Sequence, residues 1–149
     1  MTELNLYMSA AVELAHSAAQ IGEVPVGALI VCRGEIIASA YNTRESEKNA
    51  LHHAEIKAID AACRRLGGWR LPGCELYVTL EPCPMCAGAI VNSRIERVVF
   101  GAYDKKAGAF GSVLDLNAFP LNHKPQIIGG VMQQECSSLL SDFFRLKRG

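Results

Sequence analysis

Between residues 4 and 20, apolar or small side chains recur at helical spacing (Leu4, Tyr7, Met8, Ala11, Val12, Leu14, Ala15, Ala18), which predicts an amphipathic helix stopped at Ile21-Gly22. Two β-type runs follow at 25–32 and 35–40, split by the turn dipeptide Arg33-Gly34, and predict an antiparallel hairpin. The polar stretch 42–49 reads as a loop. Helical spacing returns over 54–66 (Ile56, Ala58, Ile59, Ala62) and stops at Gly67-Gly68. Beyond it the pattern reads strand at 75–80, helix at 85–92, strand at 97–100, short strand at 126–128 and a closing amphipathic helix at 133–146. The connection 102–125 lacks clear periodicity, with a helical turn expected near 113–116. A connection of that length without regular structure is uncommon unless it binds something.

Helix alternating with strand through the middle of the chain calls for parallel strands joined by crossovers, hence an α/β sheet with helices on both faces. Half of the 149 residues are apolar, enough for one well-filled core, so residues 1–149 read as a single domain. Fifteen Lys and Arg balance fifteen Asp and Glu, which removes any global pull toward a polyanion. A nucleic acid partner must then be held by a local basic patch. The start of the chain is acidic and no apolar run reaches membrane-spanning length, so a soluble cytoplasmic protein with no membrane partner is expected. The glycines are scattered turn residues without a phosphate-binding fingerprint, which argues against a nucleotide cofactor. Of six cysteines, Cys32, Cys63, Cys74 and Cys136 read as reduced packing residues.

Two clusters carry the chemistry: His53-Ala54-Glu55, and Pro82-Cys83-Pro84-Met85-Cys86 some thirty residues later. Both fall at predicted helix starts, where partial positive charge favours thiolates. Spacing of three puts Cys83 and Cys86 on one helical face, so both sulfurs reach one ion. With His53 they offer three ligands to zinc and leave the fourth tetrahedral position open, as hydrolytic zinc sites do. Glu55 is free to act as general base and acid. Attack of water at an amidine-like carbon with loss of ammonia is the reaction class that suits the set. Other readings exist: Cys-x-x-Cys as a redox pair, Cys63 or Cys74 as a fourth ligand making the zinc structural, and His52 replacing His53.

The His-x-Glu and Pro-Cys-x-x-Cys signature is that of the zinc-dependent nucleobase deaminases, a match to a known pattern. Beyond it, 22–28, 76–90, 93–95 with 97–102, and 140–145 resemble the bacterial tRNA-specific adenosine deaminases along nearly the whole chain. The resemblance implies a cytidine-deaminase-like three-layer α/β/α sandwich around a central mixed five-stranded sheet, assembled as a homodimer. It implies conversion of adenosine to inosine at the wobble position (34) of a tRNA anticodon, that of an arginine tRNA. It also implies one Zn²⁺ per subunit on His53, Cys83 and Cys86, with Glu55 as proton shuttle. Asn42, Val26 and Ala54 correspond to the base pocket, Asp104 and Lys106 to positions near the RNA backbone, and Asn122 with His123 to a pair beside the anticodon stem-loop. Arg44, Lys105, Arg145, Lys147 and Arg148 are candidate phosphate contacts. Tyr103 and Phe110 depart from relatives. A free guanine or cytosine deaminase of the same superfamily, and a binding module with a structural zinc, are the competing functions.

Overall fold

The computed structural model describes residues 2–148, with the side chain of Arg148 outside that description. The first helix, α1, spans Glu3–Gln20 and is capped by the Thr2 hydroxyl, which accepts Asn5 N–H at 3.1 Å. Strands β1 (Gly27–Cys32) and β2 (Glu35–Tyr41) form the expected antiparallel hairpin across Arg33-Gly34. Then come α2 (Ala54–Leu66), β3 (Cys74–Leu80), α3 (Pro84–Asn92), β4 (Arg97–Ala102), β5 (Gln126–Ile128) and α4 (Gln133–Arg148).

The strands lie in the order β2-β1-β3-β4-β5. β1 runs antiparallel to both neighbours, while β3 with β4 and β4 with β5 are parallel, giving a mixed five-stranded sheet. The inner strands read as unbroken apolar runs because both of their faces are covered. Ala28, Ile30, Leu76, Val78, Val98 and Phe100 face one core with residues of α2 and α3. Leu29, Val31, Tyr77, Val99 and Ala102 face a second core with α1 and α4. The result is the three-layer α/β/α sandwich.

Layer spacing is set tightly at the start of β1. A Cβ on Gly27 would stand 2.2 Å from Ala11 O, so only glycine lets α1 pack against the strand there. The preceding residue, Val26, thereby reaches the sheet end on which α2 and α3 begin.

The long connection differs from expectation. Its helical turn lies at Leu116–Ala118 rather than 113–116, because the Asp115 side chain caps it by accepting Asn117 N–H at 3.0 Å. The part before it folds back on the end of β3: Ala109 N–H donates to Pro82 O at 2.9 Å, and Gly108 N–H to Asp104 O at 2.9 Å.

Candidate active site

His53 is the N-cap residue of α2 and Cys83 that of α3, and neither cap uses its side chain on the helix. Both side chains are therefore free for another partner, and Cys86 follows one turn into α3. His53 Nδ1 lies 3.6 Å from Cys83 Sγ and 3.5 Å from Cys86 Sγ, with all three ligand atoms within 4.8 Å of one another. Tetrahedral zinc, with Zn–S about 2.3 Å and Zn–N about 2.0 Å, separates nitrogen from sulfur by about 3.5 Å, so the trio fits that ion. Among the described residues this is the one converging group of His, Cys, Asp or Glu. Cys63 and Cys74 sit elsewhere, directed at Trp69 O and Pro72 O, so neither supplies a fourth ligand. His52 is also accounted for: its Nδ1 meets Glu47 Oε1 at 2.6 Å and its Nε2 meets Asn49 Nδ2 at 3.1 Å.

Electrostatics agree with a thiolate-bearing site. Contact with Cys86, then with the His53 ring, holds the Cys83 thiol down to about 4 against the cost of burial. The Cys86 thiol, which shares its proton with Cys83 and is buried, is pushed the other way. Burial pushes Glu55 up to about 7, the Cys83 charge adding to the rise and His53 opposing it. A carboxyl near 7 exchanges protons readily at neutral pH, as a shuttle must.

These groups floor a cavity of about 170 Å³ lined by Val24, Val26, Asn42, Arg44, His53, Ala54, Glu55, Leu80, Glu81, Cys83, Asp104 and Ala107. It is smaller than the roughly 300–1,000 Å³ pockets that enclose drug-sized ligands, and so suits one flat ring system. Asn42 is buried; its Nδ2 donates to Val24 O at 3.2 Å and its Oδ1 accepts Arg44 N–H at 3.2 Å. That fixes the amide at the wall with one N–H still to offer.

Two buried carboxylates hold the rims. Glu23 accepts Glu45 N–H at 3.1 Å and Ser46 N–H at 2.6 Å, while Glu81 accepts the N–H groups of Asp104, Phe110 and Ser112. Sequence reasoning missed both, since an isolated glutamate reads as solvated. The available signal is position for Glu81, which lies between the apolar strand β3 and Pro82-Cys83; Glu23, ahead of β1 and next to neither cluster, carries no such signal.

Of the residues singled out from sequence, Val26, Asn42, His53, Ala54, Glu55, Cys83 and Asp104 meet at the cavity, with buried Cys86 completing the ligand trio behind it. Arg44 reaches the rim; Lys105 and Lys106 are exposed on the same loop as Asp104, whose Oδ1 accepts Lys106 N–H at 3.0 Å. Asn122 and His123 stand apart. His123 Nε2 donates to Ile95 O at 2.6 Å, just ahead of β4, whereas Asp104 follows the opposite end of that strand. On α4, Arg145 pairs with Asp142 at 3.0 Å and Lys147 covers the Phe143 ring, while Arg148 falls outside the described side chains. Phe110 is buried beside Ala109, and Tyr103 packs edge-on against Phe100.

Comparison with known proteins gives a consistent picture. Residues 1–102 match the model of the cytidine and deoxycytidylate deaminase zinc-binding region. The chain is 53% identical over 146 residues to the tRNA-specific adenosine deaminase of Bacillus subtilis (strain 168), spanning 97% of this chain and 91% of that one. A solved structure from work on A-to-I editing by tRNA:A34 deaminases at the wobble position superposes with TM-score 0.88 at 42% identity, over 90% of this chain and 98% of the other. A guanine deaminase from Nitrosomonas europaea superposes with TM-score 0.81 at 25% identity, over 96% and 85% of the two chains.

Proposed function

The chain belongs to the tRNA-specific adenosine deaminases of the cytidine and deoxycytidylate deaminase family, and on that premise we propose that it is a zinc-dependent hydrolase converting adenosine to inosine at wobble position 34 of a tRNA anticodon, that of tRNA-Arg. The observation that carries the reading is Glu55: a buried carboxyl on a base-sized cavity, beside three ligands that converge at tetrahedral spacing. Zinc held by His53, Cys83 and Cys86, one ion per subunit, would supply the Lewis acidity that makes water nucleophilic at neutral pH. Glu55 takes one proton of the attacking water and delivers it to the ring nitrogen next to the reacting carbon; it then takes the proton remaining on the added oxygen and passes it to the amine, which leaves as ammonia as the C–N bond breaks and the carbonyl forms. Asn42 holds the target base by its free amide N–H, and Val26 and Ala54 pack against the ring. The small cavity admits the base and leaves its ribose and phosphates on the rims, where Arg44, Lys105 and Lys106 supply positive charge.

Wobble bases are already partly exposed in an anticodon loop, so turning one into the cavity costs less than extruding a paired base. A homodimer is part of the proposal. It gives Asn122 and His123, remote from the pocket of their own chain, a route to RNA held by the other subunit. A cytoplasmic location follows from the substrate.

The second reading, a free-base deaminase, draws on the shared fold of the guanine deaminase. Ammonia release compared on an anticodon stem-loop, free adenosine, guanine and cytosine separates the two; release from the free bases alone overturns the tRNA assignment. Among the described residues no fourth ligand joins His53, Cys83 and Cys86, which disfavours a structural-zinc module.

A further inference from the structure

Glu81 is the last residue before Pro82-Cys83, is 1% exposed, and lies outside the metal-ligand trio. Its Oε1 accepts Asp104 N–H at 3.0 Å and the Ser112 hydroxyl; its Oε2 accepts the N–H groups of Phe110 and Ser112, each at 3.1 Å. A carboxylate offers about four acceptor sites, and all of them are taken by one loop. Glu81 therefore has no lone pair to spare for a substrate proton, although it reaches the wall of the cavity. Gly108 completes the fit, since a Cβ there would stand 2.4 Å from Glu81 Cδ. The sequence around the loop is thus shaped to the carboxylate: glycine where it approaches the main chain, serine where it meets a hydroxyl.

The held loop, 104–112, puts Asp104 and Ala107 on the cavity wall and Lys105 and Lys106 outside it. We propose that Glu81 is a positioning residue for a polynucleotide substrate: its carboxylate fixes the 104–112 loop so that the cavity mouth and the two lysines stand at a set distance from each other. This rests on the tRNA reading above. Glu23 does the corresponding work for the 42–46 rim across the cavity. A flexible rim would still admit a single base; it would register poorly with the phosphates on either side of it.

Glu81→Gln keeps the shape and replaces one acceptor by an N–H donor aimed at other donors. In the zinc-loaded protein, amide exchange within 104–112 is expected to speed by about tenfold or more while β3 and β4 stay protected and zinc content is unchanged. KM for an anticodon stem-loop is expected to rise about tenfold, with a smaller change in kcat. Gly108→Ala, which displaces the same contact from the loop side, should give the same KM rise, and the double variant should be no worse than the worse single one. Unchanged exchange at 104–112, protection lost across the whole sheet, or additive effects in the double variant would each overturn the proposal. If the parent protein leaves the stem-loop unreacted, the tRNA reading and the substrate part of this proposal fall together, while exchange alone still decides whether Glu81 holds the loop.

Discussion

His53 Nδ1 stands 3.6 Å from Cys83 Sγ although thirty residues separate the two in the chain. Each is the N-cap of its own helix, and the crossover from α2 through β3 to α3 brings the two helix starts together. The sulfurs and the imidazole then face a point where helix dipoles add to the attraction for thiolate. A metal bound there ties two helices and a strand end into one unit.

Removal of that metal should therefore loosen the fold as well as stop turnover. Metal analysis is expected to find one zinc per chain in the parent protein and well under half that in Cys86→Ala. Dialysis against a chelator should lower Tm by several degrees, since ligand binding to the folded state alone stabilises it. Unchanged Tm on complete zinc loss would separate the site from the fold.

Glu55→Gln should keep zinc and lose catalysis. The side chain is buried in the cavity and contributes no ligand, so metal content and Tm should stay at parental levels. Proton transfer by a positioned group contributes about 10²–10⁴-fold, and kcat is expected to fall by at least that range. Turnover within threefold of the parent, roughly 0.7 kcal/mol in barrier, would remove Glu55 from the chemistry.

Glu23 should make the fold sensitive to acid. Burial alone would raise its pKa, but hydrogen bonds from Ser46 and Glu45 together with the Arg44 charge bring it below the ordinary 4.5. A depressed folded-state pKa means stability that is present above 4.5 and lost as pH falls through the lower, folded value. Leaving the donors of the 42–46 rim short of an acceptor costs about 1–3 kcal/mol, so Glu23→Gln should lower Tm by about 3–10 °C near neutrality. Thermal melts of both proteins between pH 7 and 3 should show the gap closing below 4.5; a constant gap would mean that Glu23 acts by shape alone.

Gly27→Ala should destabilise through sterics. The added Cβ would meet Ala11 O at 2.2 Å, and α1 can yield only by moving off β1. Overpacking of this kind costs about 1–3 kcal/mol, or roughly 3–10 °C in Tm for a chain of this length. A parental Tm would show that the helix and strand are less tightly seated than their separation implies.

The sequence pattern anticipates α1, the hairpin and α2 closely because each is amphipathic or bounded by a glycine turn, and it anticipates the inner strands because burial on both faces leaves unbroken apolar runs. The convergence of His53, Cys83 and Cys86 beside Glu55 is equally legible, since a group able to hold a metal needs fixed chemistry at fixed spacing. Glu23 and Glu81 are not. Their burial depends on amides of distant loops, which no local periodicity records. The turn at Leu116–Ala118 escaped for a related reason: the Asp115 cap sets it, and a single capping aspartate in a polar stretch has many alternative readings. Asn122 and His123 resemble a pair beside an anticodon, yet linear matching cannot say which end of β4 they occupy.

The most direct test of the account is to incubate the zinc-loaded protein with an anticodon stem-loop carrying adenosine at the wobble position and to locate any inosine by nucleotide. Inosine is expected at that one nucleotide, with free adenosine and guanine turned over far more slowly. Deamination of free guanine with the stem-loop left intact would contradict it.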